Sequence, residues 1–146
     1  FRRVLMHGCT GGERLDHSLA NIQSLRWAAE QGIFAVLIGQ GFCMTAVKNG
    51  VLHFEKGVRC GLSVFAFGPP AKGVFLEGCQ YGLFDATLSP DFSLGVSNSI
   101  LGEGANVTVC DGVLTVYWSD DGKMPLPEPE SGGCKPKNAE LQCADP

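Results

Sequence analysis

An arginine, an aspartate and a histidine follow a glycine-rich stretch near the start of the chain: Gly8-Cys9-Thr10-Gly11-Gly12-Glu13-Arg14-Leu15-Asp16-His17-Ser18-Leu19-Ala20-Asn21. Glycines where a strand ends let the backbone approach a ligand closely. The N–H groups of such a turn, and of a helix behind it, suit an anion such as phosphate. The Arg14 guanidinium offers a planar fork of donors to phosphate oxygens; its plain alternative is a surface ion pair with Glu13 or Asp16. Asp16 can hold magnesium or orient a substrate hydroxyl, or it can simply cap the helix. His17 can donate to a phosphate or help position the nucleophile; otherwise it is a helix-start histidine. Asn21 lies one helical turn beyond His17 and can reach the same place.

A second group lies more than sixty residues on, in Tyr81-Gly82-Leu83-Phe84-Asp85-Ala86-Thr87-Leu88-Ser89-Pro90-Asp91-Phe92-Ser93-Leu94-Gly95-Val96-Ser97-Asn98. Tyr81 can offer its ring face to a cationic heterocycle or be a core aromatic. Ser97 and Asn98 together supply donors and acceptors for a nitrogen-containing ring, or they form a turn. Asp85 suits a turn cap. His7 and His53 show no partner pattern and are taken as structural.

These two stretches resemble the thiamine pyrophosphokinases, in order and in approximate separation, and the resemblance runs from about Val4 to Trp118. The family's Gly-Gly-Arg-x-Asp-His-x-x-x-Asn turn is similar to Gly11–Asn21, with Glu13 interposed before Arg14. Its Leu-Ser-x-x-Phe-Ser-x-Gly-Val-Ser-Asn signature is similar to Leu88–Asn98, with Pro90-Asp91 as a departure. The resemblance implies transfer of diphosphate from ATP to thiamine, giving thiamine diphosphate and AMP. It implies Arg14, Asp16 and His17 in catalysis, Asp16 on Mg2+, and Tyr81, Ser97, Asn98 and Asn21 in binding. It also implies a cytoplasmic homodimer whose sites lie between subunits. Family members carry an upstream region with further acidic residues for magnesium and ATP. The chain is therefore expected to be a C-terminal portion, inactive by itself. The alternatives are a non-catalytic thiamine-binding module and a dimerisation domain.

The bulk composition agrees with a folded, soluble-type chain. Among 146 residues, 45% are hydrophobic and 18% charged, with a net charge of −4. That balance disfavours a nucleic-acid or anionic-membrane partner, and no apolar run approaches a membrane span. Seven cysteines are present, an odd number, without any Cys-x-x-Cys pair. No zinc spacing results, and reduced thiols in a cytosolic protein are expected.

The elements expected to position these residues are α+β. Arg3–Met6 reads as a short buried strand, Asp16–Gln31 as a helix, and Ile33–Ile38 as a buried parallel strand. Leu15, Leu19, Ile22 and Ala29 form the expected core face of the helix, with Leu25 flanking it. Asp16 or Ser18 is expected to cap its first turn. Residues 1–40 thus read as the closing piece of an α/β nucleotide-binding domain. Residues 41–118 read as an antiparallel β-sandwich or barrel of about seven to ten short strands. Lys48-Asn49-Gly50 and Asp111-Gly112 are hairpin signals. Residues 119–146, rich in proline and acid, read as a solvated, poorly ordered tail.

Overall fold

A computed structural model describes residues 2–134. The order is β1 (Arg2–His7), α1 (Leu15–Glu30), β2 (Ile33–Ile38), β3 (Phe42–Phe65), β4 (Ala71–Glu77), β5 (Leu83–Leu88), β6 (Asn98–Ser119) and β7 (Glu128–Ser131). All strands belong to one sheet of order β1-β2-β3-β6-β4-β5, with β7 paired to β3. β1 and β2 are parallel, as a strand-helix-strand unit requires; every other pair is antiparallel.

β2 is apolar along its length because both of its faces are covered. Phe34 and Val36 enter the main core, while Ala35 and Leu37 enter a second core under α1. β3 divides in the same way: Cys43 and Val47 face the main core, Met44 and Ala46 the helix. Trp118 is the largest fully buried side chain, and Phe54 meets its ring edge-on.

The β lobe is built from fewer and longer strands than the sequence suggests. β3 and β6 run through both expected hairpins. Asn49 sits in a bulge with φ of 44°, and its Oδ1 accepts from Gly112 N–H at 2.8 Å. The end of β6 pairs with the beginning of β3 (Cys43 opposite Trp118) and again with its end (Leu62 opposite Trp118). The sheet therefore curls until one strand flanks another on both sides. Leu94–Ser97 is irregular, and β6 begins at Asn98.

Three further expectations are corrected. β1 is an exposed edge strand among the described residues, with Val4 and Leu5 open to solvent. On α1, Ile22 and Ala29 pack against the second core as expected, but Leu15 and Leu19 are exposed, and Leu25, 1% exposed, sits in that core beside Ala28. The helix is apolar around more of its circumference than one stripe, so periodicity alone placed the buried face too far round. Finally, Ser119–Cys134 is not a solvated tail. Met124 and Leu126 pack on the main core, β7 pairs with residues 50–53 of β3, and Cys134 is disulfide-bonded to Cys110. That bond also overturns the expectation of uniformly reduced thiols. The rest of the expected tail, 135–146, lies outside the described residues.

Candidate functional site

The glycine turn between β1 and α1 takes positive φ at Gly8, Gly11 and Gly12, which only glycine adopts without strain. Two helix side chains fasten it. Ser18 Oγ accepts from Gly11 N–H at 3.3 Å, and Asn21 Nδ2 donates to the Cys9 carbonyl at 2.8 Å. Neither Asp16 nor Ser18 caps α1: the helix begins at Leu15 behind Arg14 and has no side-chain cap.

Arg14 and Asp16 are joined by a bidentate pair, Nε to Oδ1 at 3.0 Å and Nη2 to Oδ2 at 2.7 Å. Both side chains are exposed. The pairing raises the Arg14 value and lowers that of Asp16. Two of the five guanidinium N–H donors are engaged, so the remaining edge is free to take an anion. His17 is exposed beside them. Magnesium needs near-octahedral oxygen ligation. Both Asp16 oxygens already accept from Arg14, and the described residues contain no cluster of three metal-ligating side chains. They do not form a cage for the ion.

At the far edge of the sheet, Tyr81 tips the connection between β4 and β5, 62% exposed. Its backbone N–H donates to Asn98 Oδ1 at 2.9 Å, and its carbonyl accepts from Asn98 Nδ2 at 2.6 Å. Ser97 precedes the buried Asn98, is itself exposed, and holds φ of 63°, a left-handed conformation unusual for serine. Its N–H donates to Ser63 Oγ at 3.1 Å. Tyr81 and Asn98 are therefore brought together, whereas Ser97, next to Asn98 in the chain, is bonded to Ser63. Asp85 also takes positive φ, 50°. In the motif loop, Ser89 donates to Asp91, whose carboxyl is held below its ordinary value by that bond. A hollow of about 220 Å³ beside this loop is lined by Val64–Phe67 and Leu88–Ser93, without Tyr81 or Ser97. Among the described residues, no side-chain hydrogen bond or ion pair links the Gly8–Asn21 turn to Tyr81–Asn98.

Residues 51–114 match the family model described as the thiamin pyrophosphokinase, vitamin B1 binding domain. That stretch is thus similar to a thiamin pyrophosphokinase vitamin B1 binding domain. Tyr81, Ser97 and Asn98 fall within that domain; Arg14, Asp16, His17 and Asn21 precede it. The fold matches thiamine pyrophosphokinase from Bacillus subtilis at a TM-score of 0.75 and 25% identity, covering 83% of this chain and 57% of that one. A protein from Lactobacillus plantarum matches at 0.65 and 27% identity, with coverages of 83% and 59%. Thiamin pyrophosphokinase from Candida albicans shares the fold at 0.66 and 18% identity, with coverages of 81% and 45%. The chain thus spans less than two thirds of the solved chains it resembles. No curated protein sequence matches it.

Sequence reasoning missed the contacts that support these residues. Ser63, thirty-four residues from Ser97, gives no local sign of the bond it makes. Ser18 carries a hydroxyl on an apolar helix face, the one visible hint of its bond to the turn. Three half-buried or buried thiols also lie near one another. Burial, then Asp120, pushes Cys43 to about 12; burial, then Asp120, pushes Cys60 to about 11; burial, then Cys60, pushes Cys79 to about 11. They stay protonated at neutral pH and make poor nucleophiles.

Proposed function

We propose that the polypeptide carrying this chain is a thiamine pyrophosphokinase. It transfers the diphosphoryl group of ATP to the primary hydroxyl of thiamine, yielding thiamine diphosphate and AMP. The observation that carries this reading is the B1-binding domain match over 51–114, which encloses an exposed Tyr81 whose backbone is tied to Asn98, the residue after an exposed Ser97.

Thiamine's thiazolium bears a fixed positive charge, and the Tyr81 ring face attracts it. The exposed Ser97 hydroxyl hydrogen-bonds the aminopyrimidine. The thiamine oxygen attacks the β-phosphorus as the bond to AMP breaks, and the hydroxyl proton passes to solvent water. Arg14, held in place by Asp16, directs its free N–H edge at the transferring phosphoryl oxygens. His17 stands ready to donate to the same group. Mg2+ acts in such transfers by neutralising phosphate charge, and ligands beyond Asp16 are required to hold it.

The Gly8–Asn21 turn and the Tyr81–Asn98 edge make no polar side-chain contact within one described chain, so we place the site between two subunits of a homodimer. A cytoplasmic setting rests on the resemblance to thiamine pyrophosphokinases alone, and the Cys110–Cys134 bond does not speak for it. No helix among the described residues is long and apolar enough to cross a membrane. The second reading, a thiamine-binding module without catalysis, is favoured by the family match, which covers the binding domain alone. An assay coupled to AMP release, with thiamine titration alongside, separates them. AMP formation dependent on thiamine supports the kinase; binding without AMP formation supports the module; neither excludes both.

A further inference from the structure

We infer that Asn98 is a positioning residue for Tyr81: it acts on a bound ring only through the tyrosine it holds. This rests on the thiamine reading of the site given above. Asn98 is 7% exposed. Its Oδ1 accepts from both Tyr81 N–H and Ser99 N–H, each at 2.9 Å, and its Nδ2 donates to the Tyr81 carbonyl. Both oxygen lone pairs are engaged and one amide hydrogen remains. A buried amide in that state has no acceptor to give an aminopyrimidine.

Tyr81, by contrast, depends on Asn98. Its ring is exposed and stacks on no other aromatic among the described residues. Its hydroxyl accepts a long bond from Gln80 Nε2, 3.4 Å, a neighbour on the same loop, so its place on the sheet follows from the loop backbone. The residues on either side are tied to the sheet: Gln80 N–H donates to the Ser99 carbonyl, Gly78 O accepts from Leu101 N–H, and Leu83 pairs with Leu76. Gly78 takes φ of 74° against the backbone of Gly104, so the loop leaves β4 along one path. Between these ties the backbone donor and acceptor of Tyr81 both go to the Asn98 side chain, which takes the part of a missing strand neighbour. The amide is needed for both roles, since a carboxylate would face the Tyr81 carbonyl without a donor. The left-handed Ser97, bonded through its N–H to Ser63, starts β6 so that Asn98 is buried and Ser97 stays exposed. The adjacent pair thus divides its work: Ser97 faces ligand and Asn98 faces the loop.

Two measurements on the full-length polypeptide test this. The first is amide hydrogen exchange at Tyr81 without ligand. Asn98→Ala should speed it about tenfold, the equivalent of one or two net hydrogen bonds, while amides in the middle of β6 keep their wild-type rates. Asn98→Asp keeps an acceptor for the Tyr81 N–H but sets an oxygen against the Tyr81 carbonyl, so it should also speed Tyr81 exchange and weaken thiamine binding, each by less than the alanine; it serves both measurements if the alanine variant does not fold. The second is a thiamine titration of Asn98→Ala, Tyr81→Ala and the double variant. Asn98→Ala should weaken binding about tenfold in the wild-type background and by less than about twofold once Tyr81 is gone. Additive losses would show that Asn98 touches the ligand and would overturn the inference, as would an unchanged Tyr81 exchange rate. If the wild type takes up no thiamine, the functional reading fails. The exchange result then decides alone whether Asn98 holds Tyr81.

Discussion

At the scale of single residues, Arg14 shows how one contact can serve two readings. The ion pair with Asp16 was one of the alternatives open from the sequence, and it exists. It also pre-sets the guanidinium without using its outer donors. Arg14→Ala should slow thiamine diphosphate formation by the full-length enzyme by about 10²-fold, the range for one lost donor at a developing charge. Steady-state kinetics checks this, and because the side chain is exposed, thermal stability should hardly move. The pair also has a pH signature. Asp16 is lowered in the folded state, so the stabilisation is present above its unfolded value and is lost as pH falls through its lowered folded value. Carboxyl titration by NMR should show Asp16 shifting downward, and Arg14→Ala should return it towards the ordinary carboxylate range. The candidate residues were legible because Arg, Asp, Tyr and Ser keep their chemistry wherever the backbone takes them. Their supports were not, since Asn98, Ser63 and Ser18 act through contacts between distant segments.

At the scale of elements, the long bent strands were the least legible feature. Asn49-Gly50 and Asp111-Gly112 supply the positive φ of a tight hairpin, but the same residues suit a bulge. Here they lie opposite one another and bend β3 and β6 together. Local sequence does not choose between a bend and a reversal; pairing across the sheet does. β7 was hidden for a related reason. Its prolines and acids read as solvated chain, yet Arg3–Glu128 at 2.9 Å, His53–Glu130 at 2.6 Å and the Cys110–Cys134 bond secure it. That disulfide closes a sequence separation of 24 residues. Reduction, or Cys134→Ser, should lower stability by about 3 kcal/mol on the chain-entropy account. Thermal unfolding with and without reductant measures it. An unchanged melting temperature would show that β7 is held without the bond.

At the scale of the whole molecule, the strand-helix-strand piece and the β lobe are continuous through β2 and β3, and they share side chains between two cores. A junction near residue 40 was legible from the loss of helical periodicity; the continuity was not, because β2 is apolar for both neighbours at once. The glycine turn follows the edge strand β1, and Tyr81 lies between β4 and β5 at the other end of the strand order. The central claim is that this architecture presents Tyr81 to thiamine. Calorimetric titration of thiamine into the wild type and Tyr81→Ala tests it most directly. The account predicts binding by the wild type, weakened by about 0.5 to 2 kcal/mol in the variant, the range of a cation–π contact. Equal affinity in the two proteins, or no binding by the wild type, would contradict it.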